Sequence, residues 1–210
     1  ALPLDYASRM ARAKDMGFDT STTVYHGTNQ DFPSFDRSQL GRSTKARSAE
    51  KGFFFSDNPA SAEEFAEAAG RSTRHNQRYV DERVEQIQVE QAAAQRRKDW
   101  DEYERLGNEW EELELGADAV DPNLGVNIIP THLKTENPFV YDFGDELATA
   151  GRINEVMDEA IKGGHDSMII KNVEDSAKGI KSNHYAVFTP EQIRSVNAAF
   201  DPAKRSSSNL

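Results

Sequence analysis

Two short segments carry the residue types that a nucleotide-binding site needs. Residues 24–28 place His26, whose ring both donates and accepts hydrogen bonds, directly before Gly27, which has no side chain. Residues 52–57 contain three consecutive phenylalanines, whose rings offer flat surfaces for stacking. Together these residues would suit a nucleotide that carries a planar leaving group.

A third segment, residues 183–188, reads as a strand and contains His184 and Tyr185. The three segments, in this order, resemble the NAD-binding strands of the ADP-ribosyltransferase fold, in the branch of diphtheria toxin and the poly(ADP-ribose) polymerases. The sequence from residue 3 to residue 202 also resembles the transferase domain of large phage and prophage polyvalent proteins.

The resemblance implies that NAD is the substrate. His26 would then hydrogen-bond a ribose hydroxyl, while the backbone of Gly27 would hold the nicotinamide carboxamide. Phe54 and Phe65 would stack on the pyridinium ring, and the loop from residue 39 to residue 47 would cover the pyrophosphate. The expected NAD-binding residues are His26, Gly27, Thr28, Arg42, Arg47, Phe54, Ser61 and Phe65, and the expected catalytic residues are His26, Phe54 and His184.

Two positions depart from the family pattern. The serine that holds the carboxamide falls on Ala62, with Ser61 beside it, and the catalytic glutamate position holds His184. A neutral imidazole accepts a hydrogen bond but supplies no negative charge to an oxocarbenium-like transition state. Either His184 replaces the glutamate, or a nearby carboxylate does; the candidate carboxylates are Asp166, Glu174 and Asp175.

The elements that would position these residues follow from local signals. Asp5 is a plausible N-cap for a helix over residues 5–16, which Gly17 ends, and the Asp57-Asn58-Pro59 run predicts a helix to about residue 69. Further strands are predicted at 24–27, 52–56, 127–133, 138–143 and 167–171, with the third and fourth paired, and a further helix at 153–162. The fold class is therefore α+β: an ADP-ribosyltransferase-like split two-sheet β-sandwich with flanking helices.

Residues 72–116 differ in composition from the rest of this single 1–210 domain. Charged residues crowd into the segment, and apolar residues recur at helical spacing in two stripes. The stripes predict a helical insertion, either one long helix or a hairpin, whose charges form a solvated face or a partner-docking arm. Residues 204–210 are polar and are expected to be a flexible tail.

The composition excludes several classes of protein. Zero cysteines exclude disulfides and thiolate metal sites, and nothing at ligand spacing adds a third metal ligand to His26 and His184, so no metal is expected. The net charge of −11 disfavours generic nucleic-acid binding. No membrane span or secretory signal is recognisable, and the absence of an initial Met favours either a domain cut from a longer chain or a processed chain.

Several functions remain open at this point. The basic residues Arg42, Lys45, Arg47 and Lys51 form either a solvated loop or a phosphate-binding patch. The expected function is mono-ADP-ribosylation of a macromolecular acceptor, expected to be a protein, in the cytoplasm of a phage-infected or target bacterium. The alternatives are a catalytically degenerate NAD-binding module that docks a partner through its insertion, and an NAD glycohydrolase.

Overall fold

The computed structural model describes residues 2–42, 46–71, 74–115, 126–174 and 179–207. Within these ranges the helices are α1 (Tyr6–Asp15), α2 (Pro59–Arg71), α3 (Arg74–Arg97), α4 (Trp100–Leu115) and α5 (Ala150–Lys162). The strands are β1 (Val24–Thr28), β2 (Phe53–Ser56), β3 (Asn127–Leu133), β4 (Pro138–Asp142), β5 (Ser167–Val173), β6 (Ser182–Val187) and β7 (Ile193–Ser195). The predicted α+β class is confirmed.

The strands form one mixed sheet in the order β4-β5-β6-β2-β1-β3-β7, in which only β4 and β5 run parallel. The join between β1 and β2 is short, because Tyr25 and Ser56 are their only registered pair. By contrast, β1 and β3 register over five pairs. The two halves of the predicted sandwich are therefore continuous, but they are joined by the least backbone pairing in the sheet.

One predicted pairing is wrong. The strands at 127–133 and 138–143 do not pair with each other: β3 pairs with β1 and β7, whereas β4 forms the opposite edge beside β5. In the loop between β3 and β4, the Asp166 carboxylate accepts hydrogen bonds from the backbone N–H groups of Glu136 and Asn137 at 2.7 and 2.9 Å. Because β7 has only three residues, the sequence offered no periodic signal for it.

The three phenylalanines of β2 divide between the two faces of the sheet. Phe53 and Phe55 are buried with Phe35 and Val24 on one face, while Phe54 packs on the other against the core under α5. Strand residues alternate between faces, so a strand that is apolar at every position must be covered on both sides. β2 is therefore covered on both faces, with Phe54 partly buried.

Gly27 lies where α2 crosses β1. A Cβ atom built on Gly27 would lie 1.8 Å from the carbonyl oxygen of Ala62 and 2.9 Å from the backbone nitrogen of Ala66. Such a contact is far inside van der Waals range, so only glycine permits the helix to pack this closely on the strand. The residue therefore has a packing role that is independent of any ligand.

Helices α3 and α4 form an antiparallel hairpin. Arg83 in the first half of α3 pairs with Glu109 in the second half of α4 at 2.7 Å. The Gln91 side chain, later in α3, donates to the carbonyl of Tyr103 near the start of α4 at 3.3 Å. The turn between them contains Lys98, whose φ of 58° reverses the chain. The facing apolar residues Ile87, Ala94 and Leu106 are fully buried. The hairpin alternative is therefore the observed one.

The C-terminal segment is held by a buried arginine. Arg194 donates to the backbone carbonyls of Arg205 and Ser207, and its guanidinium lies 5.6 Å from the centre of the Phe18 ring. Desolvation lowers the pKa of Arg194, since its partners are mainly neutral carbonyl groups. Residues 204–207 of the predicted flexible tail are thus in contact with the fold, and residues 208–210 lie outside the described residues.

We expect Gly27→Ala to destabilise the fold strongly. The added methyl group overlaps the Ala62 carbonyl, so α2 or β1 must move, at a cost of about 3 kcal/mol or more. Gly151→Ala is the matched control, because the nearest atom to its Cβ is 4.0 Å away and alanine favours the helix by up to ~1 kcal/mol. Urea unfolding measures both; equal stability of the two variants would contradict the packing role.

Candidate functional site

His26 is fixed by a hydrogen bond to the neighbouring strand. Its Nδ1 lies 2.8 Å from the carbonyl oxygen of Phe54, and because a carbonyl only accepts, Nδ1 carries the proton. Phe35 and Phe55 pack against the ring, with centroids 4.9 and 5.5 Å away. Burial lowers the pKa of His26, which keeps the ring neutral near pH 7. Nε2 is then a hydrogen-bond acceptor.

This hydrogen bond stands at the point where β1 and β2 separate. Continuing the register from the Tyr25–Ser56 pair would place Gly27 opposite Phe54, but no such pair forms. The imidazole of His26 therefore supplies the donor that the next backbone pair would have supplied. The Thr28 hydroxyl is used locally, since it accepts from the Gln30 N–H at 3.1 Å.

His184 is buried on β6, with 5% of its surface exposed. Its Nε2 lies 3.0 Å from the Ser182 hydroxyl and 3.5 Å from that of Ser61, and the two hydroxyls are 3.3 Å apart. Burial lowers its pKa to about 4, against a smaller opposing effect of the Asp57 carboxylate. The ring is therefore neutral at physiological pH, within a compact polar cluster of Ser61, Ser182 and His184.

Phe65 closes this polar cluster from α2. Its ring meets His184 edge to face, with centroids 5.6 Å apart. Register places Ser56 opposite His184 and Phe54 opposite Ala186, so Phe54 and His184 share one face of the sheet, and α2 carries Phe65 onto that face. The structure thus brings together Ser61, Phe65 and His184, while Phe54 lies on the same face of the sheet and packs against the core under α5.

His26 belongs to the other face. It alternates with Tyr25 along β1, and Tyr25 is registered with Ser56, which is in turn registered with His184. The two histidines therefore approach the β1–β2 separation from opposite sides of the sheet. Only a ligand that lies through that separation would touch both.

The predicted arginines are not brought to His26 among the described residues. Arg42 is exposed and donates to the Gln39 side chain at 3.0 Å, and Arg47 is exposed in a short 3-10 helix (Arg47–Glu50). Lys45 lies outside the described residues. Lys51 is paired with Asp158 at 2.6 Å, so this part of the basic patch anchors α5.

Three carboxylates were candidates to replace the catalytic glutamate, and two of them lie among the described residues. Asp166 is occupied by the backbone of Glu136 and Asn137, as described above, and Glu174 is exposed at the end of β5. Asp175 lies outside the described residues. Nothing in these positions directs a carboxylate from Asp166 or Glu174 toward His26.

Two residues of the site were missed by sequence reasoning. Ser182 lies two residues before His184, and a serine at a same-face position of a buried strand is a signal that was available. The sequence predicts Asp57 only as part of a helix start, but its carboxylate accepts hydrogen bonds from the backbone and side-chain nitrogens of Asn183 at 2.9 and 2.7 Å. The N-terminus of α2 is instead capped by the Asn58 side chain, whose oxygen accepts a hydrogen bond from the Ala60 N–H.

The described residues form neither a group of metal ligands nor a membrane-spanning helix. No three histidine, aspartate or glutamate side chains there are grouped as metal ligands would be. No helix there combines the length and the apolar character that crossing a bilayer requires.

The α+β architecture, in which helices pack on a mixed sheet, is consistent with the ADP-ribosyltransferase class of proteins. A family model described as the ADP-ribosyltransferase in polyvalent proteins matches residues 20–200, and the chain belongs to that family. No curated protein matches the sequence significantly.

Acid should destabilise this protein partly through His184. Its pKa is lowered from 6.5 to about 4, so between these values the unfolded chain binds a proton that the folded chain refuses. Stability is therefore full above pH 6.5 and falls as the pH decreases, by at most ~1.4 kcal/mol per pH unit from this residue. The lowered pKa of His26 acts in the same direction.

His184→Gln removes the titrating group while keeping a side chain that can bond to Ser61 and Ser182. We expect the pH dependence of its unfolding free energy between pH 7.5 and 4.5 to be shallower than that of the wild type, as measured by urea unfolding. Parallel curves for the two proteins would mean that His184 titrates normally in the fold.

Proposed function

We propose that this chain binds NAD across the separation of β1 and β2, cleaves the bond between nicotinamide and ribose, and transfers ADP-ribose to a macromolecular acceptor. The observation that carries the proposal is the bond from His26 Nδ1 to the Phe54 carbonyl. It leaves Nε2 as an acceptor, which is what a ribose hydroxyl requires. Membership of the ADP-ribosyltransferase family supports the reaction class.

The leaving group would lie on the α2 side. Phe54 and Phe65 would flank the pyridinium ring, at about 1 kcal/mol for each stacking contact. Nicotinamide leaves as a neutral molecule when the glycosidic bond breaks, and the acceptor nucleophile forms the new bond to the ribose carbon and loses its proton. Close packing of α2 on Gly27 would set how near the ring stands to the strand backbone.

The lack of a negative charge at His184 favours a second candidate function. His184 is buried and neutral, so it offers no anion to the developing positive charge on ribose. A chain of this kind would bind NAD as a module and dock a partner through its hairpin, where Val89 and Trp100 are 65% and 58% exposed. Hydrolysis of NAD, with water as the acceptor, is the third candidate and uses the same site.

One incubation separates the three candidates. The protein is mixed with NAD labelled in its adenylate part and a bacterial lysate. Label on macromolecules supports transfer, free labelled ADP-ribose supports hydrolysis, and unchanged NAD that remains bound supports the binding module.

His26→Ala should weaken NAD binding by roughly tenfold or more, because the ligand loses a hydrogen bond in a partly buried site. His165→Ala is a matched control: its Nδ1 also lies within hydrogen-bond distance of a backbone carbonyl, that of Asn137 at 3.1 Å, but on the β4–β5 side of the sheet. Calorimetric titration with NAD measures both. Unchanged affinity in His26→Ala, together with a lower melting temperature, would make His26 a core residue only.

His184→Glu should raise NAD turnover if transition-state charge limits the reaction. The Ser61 and Ser182 hydroxyls can both donate to a carboxylate, which makes the substitution tolerable in a buried cluster. Each ~1.4 kcal/mol of added stabilisation gives a factor of ten in rate. His184→Gln is the uncharged control, and turnover is followed as nicotinamide release.

A lower rate in His184→Glu than in the wild type would mean that the imidazole itself works in the reaction. Equal rates in all three proteins would place residue 184 away from the ribose.

A further inference from the structure

One half of the sheet is covered unequally on its two faces. On the α5 side, Met168, Ile170 and Ala186 are fully buried. On the opposite side of the same strands, Val140 is 52% exposed, and Ile169 and Tyr185 are half-buried. At one end of this second side Tyr185 packs against a buried aromatic cluster that includes Phe35, whereas Val140 at the other end lies on the edge strand β4.

The row on this second side consists of apolar and aromatic side chains, which are unusual on a sheet face in water. Val140 is registered with Ile169, and Ile169 with Tyr185, so the three side chains form one row across adjacent strands. A sheet face in water normally carries polar residues at such positions. A contiguous apolar row is therefore more consistent with a surface that meets a partner.

The row leads toward the proposed NAD site. Phe55 is registered with Tyr185 on the next strand, and the Phe55 ring lies 5.5 Å from that of His26. Neighbouring strands are about 4.8 Å apart, so Tyr185 lies about two strand spacings from His26 on the same face. Phe55 and Phe35 are buried between Tyr185 and His26, so a segment that lies along the row would end at Tyr185.

The charges around the row favour a cationic partner at its Tyr185 end. The pKa of the Tyr185 hydroxyl is raised by burial first and then by the nearby carboxylates of Asp57 and Asp19. At the other end, Asp142 is registered with Lys171, so these two charges offset one another. The whole chain carries a net charge of −11, which adds to the same preference.

We propose that the row Val140–Ile169–Tyr185 is a docking strip for a basic polypeptide segment, which, resting on the proposed function, is the ADP-ribose acceptor. Lysine and arginine stems would lie along the two aliphatic residues while their charged heads remain in water. A cation over the Tyr185 ring would be held by the ring and by the carboxylates of Asp19 and Asp57. Nucleic acid would be repelled by the same carboxylates.

Binding is tested first without NAD. The full chain is titrated into a fluorescent Lys/Arg-rich peptide, and anisotropy is compared with that of a Glu-rich peptide of equal length. Val140→Lys removes the apolar contact and adds a repelling charge at an exposed position. Ile161→Lys is the matched control, because Ile161 is 43% exposed on α5 and lies off the row. We expect Val140→Lys to weaken binding of the basic peptide at least about tenfold and Ile161→Lys to leave it within about twofold.

Transfer is then measured with labelled NAD and the basic peptide. Val140→Lys should lose label on the peptide while nicotinamide release without peptide stays at the wild-type rate, since Val140 is outside the NAD site. Peptide binding that follows the expected pattern with no cleavage of NAD would support the docking strip and overturn the proposed function.

Three results would overturn the docking strip. The first is equal binding of the basic and acidic peptides, or equal effects of the two lysine variants. The second is direct binding of fluorescent single-stranded DNA to the wild-type chain at least as tightly as the basic peptide. The third is a wild-type dimer that Val140→Lys converts to a monomer in sedimentation, which would assign the row to a second copy of the chain.

Discussion

The hydrogen bond from His26 to the Phe54 carbonyl is the contact on which the arrangement of the site depends. β1 and β2 share a single registered pair, so the ladder would otherwise end with an unpaired carbonyl inside the protein. A side-chain donor satisfies that carbonyl while allowing the strands to diverge. The same bond fixes the tautomer of the ring and so decides that Nε2, the nitrogen left free, is an acceptor.

Close packing of α2 adds a second constraint. Because Gly27 has no side chain, the backbone of Ala62 rests directly on β1, and the helix then carries Ser61 and Phe65 over the β6 strand. A glycine beside a functional histidine is commonly explained by ligand contact alone. Here the helix position by itself requires it, so loss of activity in a variant at this position would not identify a ligand contact.

Local signals explain how much of the fold could be predicted. Asp5 accepts the Ser8 N–H as an N-cap should, and the helices and most strands have bounds within a few residues of those predicted from capping and periodicity. Pairing was harder, because which strand lies beside β3 depends on contacts distant in sequence. The loop between β3 and β4 has turn-like composition, yet it is held by Asp166, thirty residues beyond Glu136.

The candidate site likewise divides into features that local motifs predict and features that depend on contacts distant in sequence. His26, Phe54 and Phe65 could be named from their motifs, whereas the partners that define their chemistry could not. Neither the Phe54 carbonyl nor the Ser182 hydroxyl is visible as a ligand of a histidine in a one-dimensional pattern, since each contact depends on register. Residue type therefore indicates which groups are present, and register decides which of their atoms remain available to a substrate.

His26 and His184 differ in which ring nitrogen is hydrogen-bonded. Both are kept neutral by desolvation, but His26 has one nitrogen bonded and one free, while His184 has its Nε2 among two hydroxyls. If Ser182 donates to that nitrogen, Nδ1 of His184 must carry the proton, and the ring can then only donate to a ribose oxygen. Under the proposed function, a donor at this position would stabilise bound ribose without stabilising positive charge, so affinity for NAD and the rate of cleavage would be separable.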